Sequence, residues 1–252
     1  MHPVCLYIGT RPIYWYGVMM AAAFLAGMTH LRSIGRRDGR DSAYCADLVF
    51  WVMLAGIIGA RVAYVFGNLS YYAENPIEIL RVDRGGLVYY GGFLGAGAAL
   101  WLFARVKRER TLAVLDFMIT AVPLGHAFGR VGCFLNGCCY GRPGTEPWCV
   151  VSEAVDKVPR HPVQLYEAAA NLVLYAVLLI AYRRRKRDGQ IVSLYLLTYP
   201  IGRFLFEYFR GDERVRLPWG GITLAQASSI ALFLTGVAIW SATRRHHDAT
   251  HG

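Results

Sequence analysis

The chemistry in this sequence is concentrated in a few polar residues set at helical intervals inside apolar stretches. In YPIGRFLFEYFR, Tyr199, Arg203, Glu207 and Arg210 follow one another at offsets of four, four and three. At about 100° per residue they fall within an arc of about 80° and form one polar stripe. Glu207 lies one helical turn from Arg203 and is its expected ion-pair partner. Gln164, Glu167 and Asn171 share a second helical face. The segment PLGHAFGRVGCFLNGCCYG, residues 123–141, supplies donors from Arg130 and Asn136. It also places His126 one turn before Arg130, where an imidazole could act as a general base near neutral pH. Its glycines, 125, 129, 132, 137 and 141, permit tight turns and close backbone approach where a helix ends. Several arginines with few acids in apolar surroundings suit a phosphate, and a phospholipid headgroup is the nearest source of one. The plainer alternatives are a structural Arg203–Glu207 pair, a hydrogen-bonded His126, and Arg61 or Arg210 reaching from a helix end into the headgroup layer.

The elements that must position these groups are transmembrane helices. The chain has 252 residues, 55% apolar and 17% charged, with a formal net charge of +10, and its mean hydropathy is +0.32. That balance is too apolar and too poor in charge for an ordinary soluble enzyme. A bilayer core needs about 20 mainly apolar residues per helix, and seven windows qualify: 14–31, 46–66, 86–104, 112–130, 163–182, 191–209 and 222–240. The expected fold is therefore all-α, a polytopic membrane protein forming a single integral membrane domain over residues 1–252. No cleavable signal pattern precedes the first window. An arginine at a helix centre costs about 2.5–3.5 kcal/mol even on lenient insertion scales, so Arg61 and Arg203 inside windows are informative.

Basic residues set the orientation. Arg32, Arg36, Arg37 and Arg40, then Arg105, Lys107, Arg108 and Arg110, then the run 183–187, then Arg244 and Arg245 fall on one side and outnumber those on the other. The N-terminus is expected outside and the C-terminus in the cytoplasm. With that topology Arg61, Arg130, the 199–210 stripe, the start of the fifth span, Tyr16 and Tyr90 all reach the outer half. The basic surplus is then an orientation signal, and no nucleic-acid partner is expected. Gly91 and Gly95, one turn apart in the third window, read as close helix packing, with room for a lipid headgroup as the functional alternative.

Cys133, Cys138, Cys139 and Cys149 fall on the outer side, where disulfides can form in bacteria with a periplasm. Their spacing lacks paired CxxC elements, so no metal site is expected. Three readings stay open: small packing residues, a disulfide from Cys149 to Cys138 or Cys139, and a membrane thiol–disulfide oxidoreductase. A lipid or anion transporter fits the arginines less well, because the charged groups cluster on one side and no paired broken helices occur.

The chain resembles the prolipoprotein diacylglyceryl transferase family, seven-span enzymes of the bacterial inner membrane. The resemblance runs through IYWYG at 13–17, GARVAYV at 59–65, GRVGCFLNGCCYG at 129–141, RHPVQLYE at 160–167, YPIGRFLFEYFR at 199–210 and GITLAQASS at 221–229. It implies transfer of the diacylglyceryl group of phosphatidylglycerol to the lipobox cysteine thiol of a preprolipoprotein signal peptide, releasing glycerol phosphate, with no metal or organic cofactor. By resemblance Tyr16, Arg130, Gly141, Tyr199, Arg203 and Glu207 occupy functional positions, joined by His161 and Gln164, and Arg130 is the arginine that contacts phosphatidylglycerol. Three positions depart: Tyr90 stands where the family usually has His, Cys133 where it has Asn, and Cys138 where it has Glu. A tyrosine of pKa near 10 is a poor base at pH 7, so His126 is the expected base in this chain, with His161 second. A paralogue that modifies another acceptor remains an alternative.

Overall fold

The computed structural model describes residues 3–82, 85–151, 155–212, 214–218 and 221–251. The chain divides into two compact units, Arg32–Leu115 and Met1–Leu31 with Asp116–Gly252. The fold is helical, with two short hairpins. Five helical stretches, the third of them interrupted, are long and apolar enough to cross a membrane: Trp15–Asp38, Ser42–Gly67, Thr111–Asn136, Val163–Arg183 and Leu224–Arg245. Helices also cover the third and sixth predicted windows, but they are not among those five. Large apolar side chains such as Leu25, Phe66, Leu94, Val173 and Leu234 stand largely exposed along the helices, as lipid-facing surfaces require.

In the smaller unit, α2 (Ser42–Gly67) is capped by Asp41, whose carboxylate accepts from the Tyr44 N–H at 2.7 Å. A six-residue helix α3 (Leu69–Glu74) follows, and then α4 (Tyr89–Val106) packs along α2. The contact depends on missing side chains. A Cβ on Gly95 would meet the Ala55 carbonyl and the Gly59 Cα, and one on Gly91 would meet the Gly59 carbonyl and Ala63. The two glycines are thus occupied in helix packing.

The larger unit opens with a hairpin of β1 (Val4–Ile8) and β2 (Arg11–Tyr14), turned at Gly9 with φ +61°, and leads into α1 (Trp15–Gly35). The predicted fourth span, 112–130, is two helices, α5 (Thr111–Ile119) and α6 (Val122–Asn136). Pro123 explains the break. It has no N–H to give the Ile119 carbonyl, and its ring would crowd that group. A buried polar relay fills the break: the Thr120 hydroxyl donates to the Phe117 carbonyl at 2.7 Å and lies 2.8 Å from His30 Nε2. Nε2 must then be the donor, leaving Nδ1 to accept from the Tyr175 hydroxyl at 2.9 Å. α6 also runs past residue 130 to Asn136 before Gly137, at φ +75°, ends it. Gly125, Gly129 and Gly132 are therefore helical residues and not an exit loop.

A two-residue hairpin of β3 (Val150–Val151) and β4 (Pro159–Arg160) follows, then α7 (Val163–Arg183), α8 (Gln190–Phe206) and α9 (Leu224–His251). α6 packs on α7, α7 on α8, and α8 on α9. α8 starts at Gly189 without a cap of its own. Asp116 of α5, fully buried, supplies one: its carboxylate accepts the N–H groups of Gly189, Ile191 and Val192 at 2.8, 3.0 and 2.8 Å. A carboxylate there also meets the positive end of the helix dipole. Asp116→Ala would leave those donors buried and unpaired, and we expect it to destabilise the protein by about 2–3 kcal/mol. Asp116→Asn, which keeps an acceptor, should lose less, as read from thermal unfolding in detergent.

Candidate active site

The polar stripe of α8 does not continue as one α-helix. The helix ends at Phe206, Glu207–Phe209 form a single 3₁₀ turn, and Arg210 is extended. The cause is a backbone crossing at Gly141. The Gly141 N–H donates to the His161 carbonyl, that of Arg142 to the Phe209 carbonyl, and that of Gly211 to the Tyr140 carbonyl, at 3.1, 2.8 and 3.1 Å. A Cβ at Gly141 would strike the His161 carbonyl, and one at Gly211 would strike Gly141. Gly141 thus allows three chain segments to meet.

That crossing carries Arg210 under the site, where an alternating ionic network forms. Arg130 Nε lies 2.7 Å from one oxygen of Glu167, and Arg210 Nη1 lies 3.4 Å from the other. Arg210 also holds Asp212 with two contacts, Nε–Oδ1 at 2.9 Å and Nη2–Oδ2 at 2.8 Å. Asp212 reaches Arg214 at 3.3 Å, Arg214 reaches Glu207 at 3.7 Å, and Glu207 pairs with Arg203 at 2.7 Å. Among the described residues four arginines alternate with three carboxylates, which leaves one formal positive charge. Exposure divides their roles. The Arg210 side chain is 1% exposed and serves as an internal anchor, whereas Arg130 and Arg203 keep 21% and 14% open.

Between α7 and α8 lies a cleft of about 250 Å³. Its polar part is made by Glu167, Asn171, Tyr199 and Arg203, and Val173, Leu174 and Val177 continue it along α7 as an apolar wall. Asn171 donates to the Glu167 carbonyl at 2.7 Å, and its Oδ1 has no hydrogen-bond partner among the described residues. His126 packs against Tyr199 with ring centroids 5.3 Å apart, and Tyr199 stacks on Tyr195. Tyr16 lies against α6 at Gly132, where an added Cβ would stand 3.2 Å from its ring.

Other expected site residues take different places. Gln164 is buried and donates to the Cys138 carbonyl at 2.7 Å, fixing the turn after α6, at whose last helical position Asn136 stands. His161 has Nε2 3.4 Å from Glu146 and Nδ1 3.3 Å from the Tyr166 hydroxyl. Arg61 and Tyr90 belong to the smaller unit. Arg61, expected near a phosphate, is buried there and donates to the carbonyls of Glu78, Ile79, Gly85 and Gly86 at 2.5–3.1 Å. It lies beside Tyr64 and Tyr72 and organises the loop before α4. Tyr90 sits in the first turn of α4, half exposed, with its ring edge-on to Tyr89.

The six cysteines are free thiols, so of the three open readings the Cys149 bridge is not the one the structure shows. The sulfurs of Cys133, Cys138 and Cys139 lie within 4.8 Å of one another, whereas Cys149 sits with Glu146 and His161. The Cys139 thiol is held below the usual thiol range by hydrogen bonds from Cys133 and Cys138, with Arg210 acting the same way. Sequence reading placed Glu167 on a polar face without giving it a role, and it missed Arg214 and Asp212, whose charges resemble any others in a loop.

A helical protein with five stretches of membrane length and apolar composition is a membrane protein, and its larger unit holds a buried arginine–carboxylate network beside an apolar cleft. The profile of the prolipoprotein diacylglyceryl transferase family matches residues 3–242. Proteins named phosphatidylglycerol–prolipoprotein diacylglyceryl transferase are similar along nearly the whole length. That of Idiomarina loihiensis is 36% identical, covering 94% of this chain and 91% of its own. That of Methylibium petroleiphilum is 37% identical over 94% of each, and that of Nitratidesulfovibrio vulgaris 35% identical over 98% and 95%. The chain belongs to the prolipoprotein diacylglyceryl transferase family, a family of transferases. None of these comparisons supports the oxidoreductase reading.

Glu167 is the joint of the network, so Glu167→Ala leaves Arg130 without its carboxylate and leaves the buried Arg210 with Asp212 alone. Removing one partner of a buried pair costs about 3–5 kcal/mol. We expect a loss of that size in detergent unfolding, with Glu167→Gln losing less because the amide oxygen still accepts one hydrogen bond.

Proposed function

We propose that this chain transfers the diacylglyceryl group of phosphatidylglycerol to the lipobox cysteine thiol of a preprolipoprotein, the first step of lipoprotein maturation, and releases glycerol phosphate. The names of the relatives support the donor and acceptor classes. The observation that carries the reading is the geometry of Arg203 and Arg130. Arg203 lines the cleft, Arg130 is joined to the cleft carboxylate Glu167, and both remain part-open.

In this mechanism the thiolate attacks the glycerol carbon that bears the phosphate, forming the C–S bond as the C–O bond breaks and the phosphate departs with its electron pair. Arg130 and Arg203 stabilise the charge that develops on that phosphate, the contribution that usually dominates such catalysis. Glu207 is a positioning residue for Arg203. Tyr16 and Tyr199 donate hydrogen bonds to the headgroup, and the acceptor oxygen of Asn171 takes a headgroup hydroxyl. The acyl chains follow the apolar wall. A thiol of pKa about 8.5 needs a base at pH 7, and His126, against Tyr199 and one turn from Arg130, takes its proton. His161 is the weaker choice because both ring nitrogens already face partners. Gly141, Gln164 and Asn136 shape the backbone around the site. The transfer itself calls for no cofactor.

The proposal includes seven spans in one integral domain in the bacterial inner membrane, the N-terminus outside, the C-terminus in the cytoplasm and the site toward the outer leaflet. α8, with 17 residues, rises about 26 Å, close to a hydrocarbon core of about 30 Å. Lys and Arg are read as orientation signals, with membrane lipid as the surrounding partner and no role for nucleic acid.

Incubating the protein with phosphatidylglycerol and a lipobox peptide should add a diacylglyceryl mass to the peptide, and Arg130→Ala should abolish it. Arg130→Lys keeps a point charge but loses the planar fork, and we expect a loss of about ten- to a hundredfold. His126→Gln should cost about a hundredfold or more. Wild-type turnover in folded Arg130→Lys protein would remove its headgroup role, and full activity in His126→Gln would remove the base assignment.

A further inference from the structure

The loop between α6 and α7 brings a mixed set of metal-binding side chains to one point. The β3–β4 pairing, Val150 with Arg160 and Val151 with Pro159, sets the geometry. Cys149 immediately precedes β3 and His161 immediately follows β4, so the ladder places them side by side. The Cys149 N–H donates to the Glu146 carbonyl at 2.9 Å, a tight turn that brings the Glu146 carboxylate and the Cys149 thiol to the same side. Two more backbone bonds close the ring: Gly144 N–H to the Pro159 carbonyl and His161 N–H to the Arg142 carbonyl, both 3.1 Å.

Glu146 Oε2 consequently lies 3.4 Å from His161 Nε2 and 3.5 Å from Cys149 Sγ, and all three ligand atoms lie within 4.8 Å of one another. Gly144 gives an independent measure of their convergence. A Cβ built on it would stand 2.5 Å from Oε2, 2.7 Å from Nε2 and 2.8 Å from Sγ. One point beside Gly144 is therefore nearly equidistant from an oxygen, a nitrogen and a sulfur, and glycine leaves it free of side chain.

We propose that Glu146, Cys149 and His161 form a binding site for a zinc-class divalent ion. Tetrahedral zinc with bonds of about 2.0–2.1 Å to nitrogen, 2.0–2.2 Å to oxygen and 2.3 Å to sulfur separates N from O by about 3.3–3.5 Å and S from O by about 3.5–3.7 Å. The structure has 3.4 and 3.5 Å. A thiolate and an imidazole select zinc or cobalt over magnesium and calcium, which take oxygen ligands. His161 Nδ1 faces the Tyr166 hydroxyl at 3.3 Å. Donation from Nδ1–H to that oxygen holds the tautomer in which Nε2 presents its lone pair, the outer-shell arrangement common to metal-binding histidines. Three protein ligands leave the fourth position, on the Gly144 side, to water or another donor. On binding, Cys149 loses its proton to solvent and the ion fastens the base of the hairpin that leads into α7. Cysteine spacing alone does not reveal this site, because only one of its ligands is cysteine. The proposal is independent of the transfer mechanism.

The test uses the full-length protein in detergent, stripped with a chelator and titrated with cobalt(II). We expect one equivalent to bind with a thiolate-to-cobalt charge-transfer band that zinc(II) then displaces. Cys149→Ser should remove the band. Glu146→Gln, at a side chain open to solvent, and Gly144→Ala, which fills the point of convergence, should each weaken binding at least about tenfold, with size-exclusion elution confirming the fold. No charge-transfer band in the folded wild-type protein would overturn the proposal. So would a band that survives Cys149→Ser but disappears in Cys139→Ser, which would assign the metal to Cys133, Cys138 and Cys139. Unchanged affinity in folded Glu146→Gln would overturn it equally.

Discussion

The buried Glu167 carboxylate, with one oxygen on Arg130 of α6 and the other on Arg210 beyond α8, holds the site together. A charge this enclosed is expensive unless it is paired, and here each pairing ties a different segment of chain to α7. Because Arg210 also grips Asp212, the post-helix strand must turn back at Gly211. That turn brings Arg214 toward Glu207 and completes the circuit to Arg203. The network neutralises most of its own charge and still leaves a surplus positive charge where Arg130 and Arg203 stay accessible. A headgroup phosphate could occupy such a place without unfolding it.

The helices position the network by equally specific means. Pro123 ends α5 at Ile119, Asp116 on that short helix caps the start of α8, and His30 joins α1 to α7 through the break. α8 thus enters the unit at a fixed point and delivers Tyr199 against His126 and Arg203 into the cleft. The apolar wall along α7 runs from the polar end into the part of the helix a membrane would surround. The phospholipid donor proposed for this chain has a charged head and apolar tails that correspond to these two parts.

The positions at which the resemblance implies a departure acquire physical content. Cys133 and Cys138, with Cys139, form a cluster of three sulfurs beside Arg210. Tyr90 lies in the other unit, while His126 is the imidazole that stands beside the cleft-lining Tyr199. The second cluster, Glu146, Cys149 and His161, depends on a hairpin of two residue pairs. That hairpin lies in a segment where apolar periodicity gives no signal.

Apolar runs and helical spacing were enough to identify a helical membrane protein, the polar stripes and the Arg203–Glu207 contact, because these depend on neighbours within one helix. The resemblance singled out Arg130 and Gly141 for the same local reason: short blocks keep their own residue order. The sequence could not show that Arg130 meets Glu167, that Arg61 serves four loop carbonyls, or that Gly141 is a crossing of three segments. It also could not distinguish Arg210, an internal anchor, from Arg203, which lines the cleft. Those assignments rest on which charges become buried together. Burial is settled by the packing of distant segments, whereas a helical stripe specifies only the face on which a charge begins.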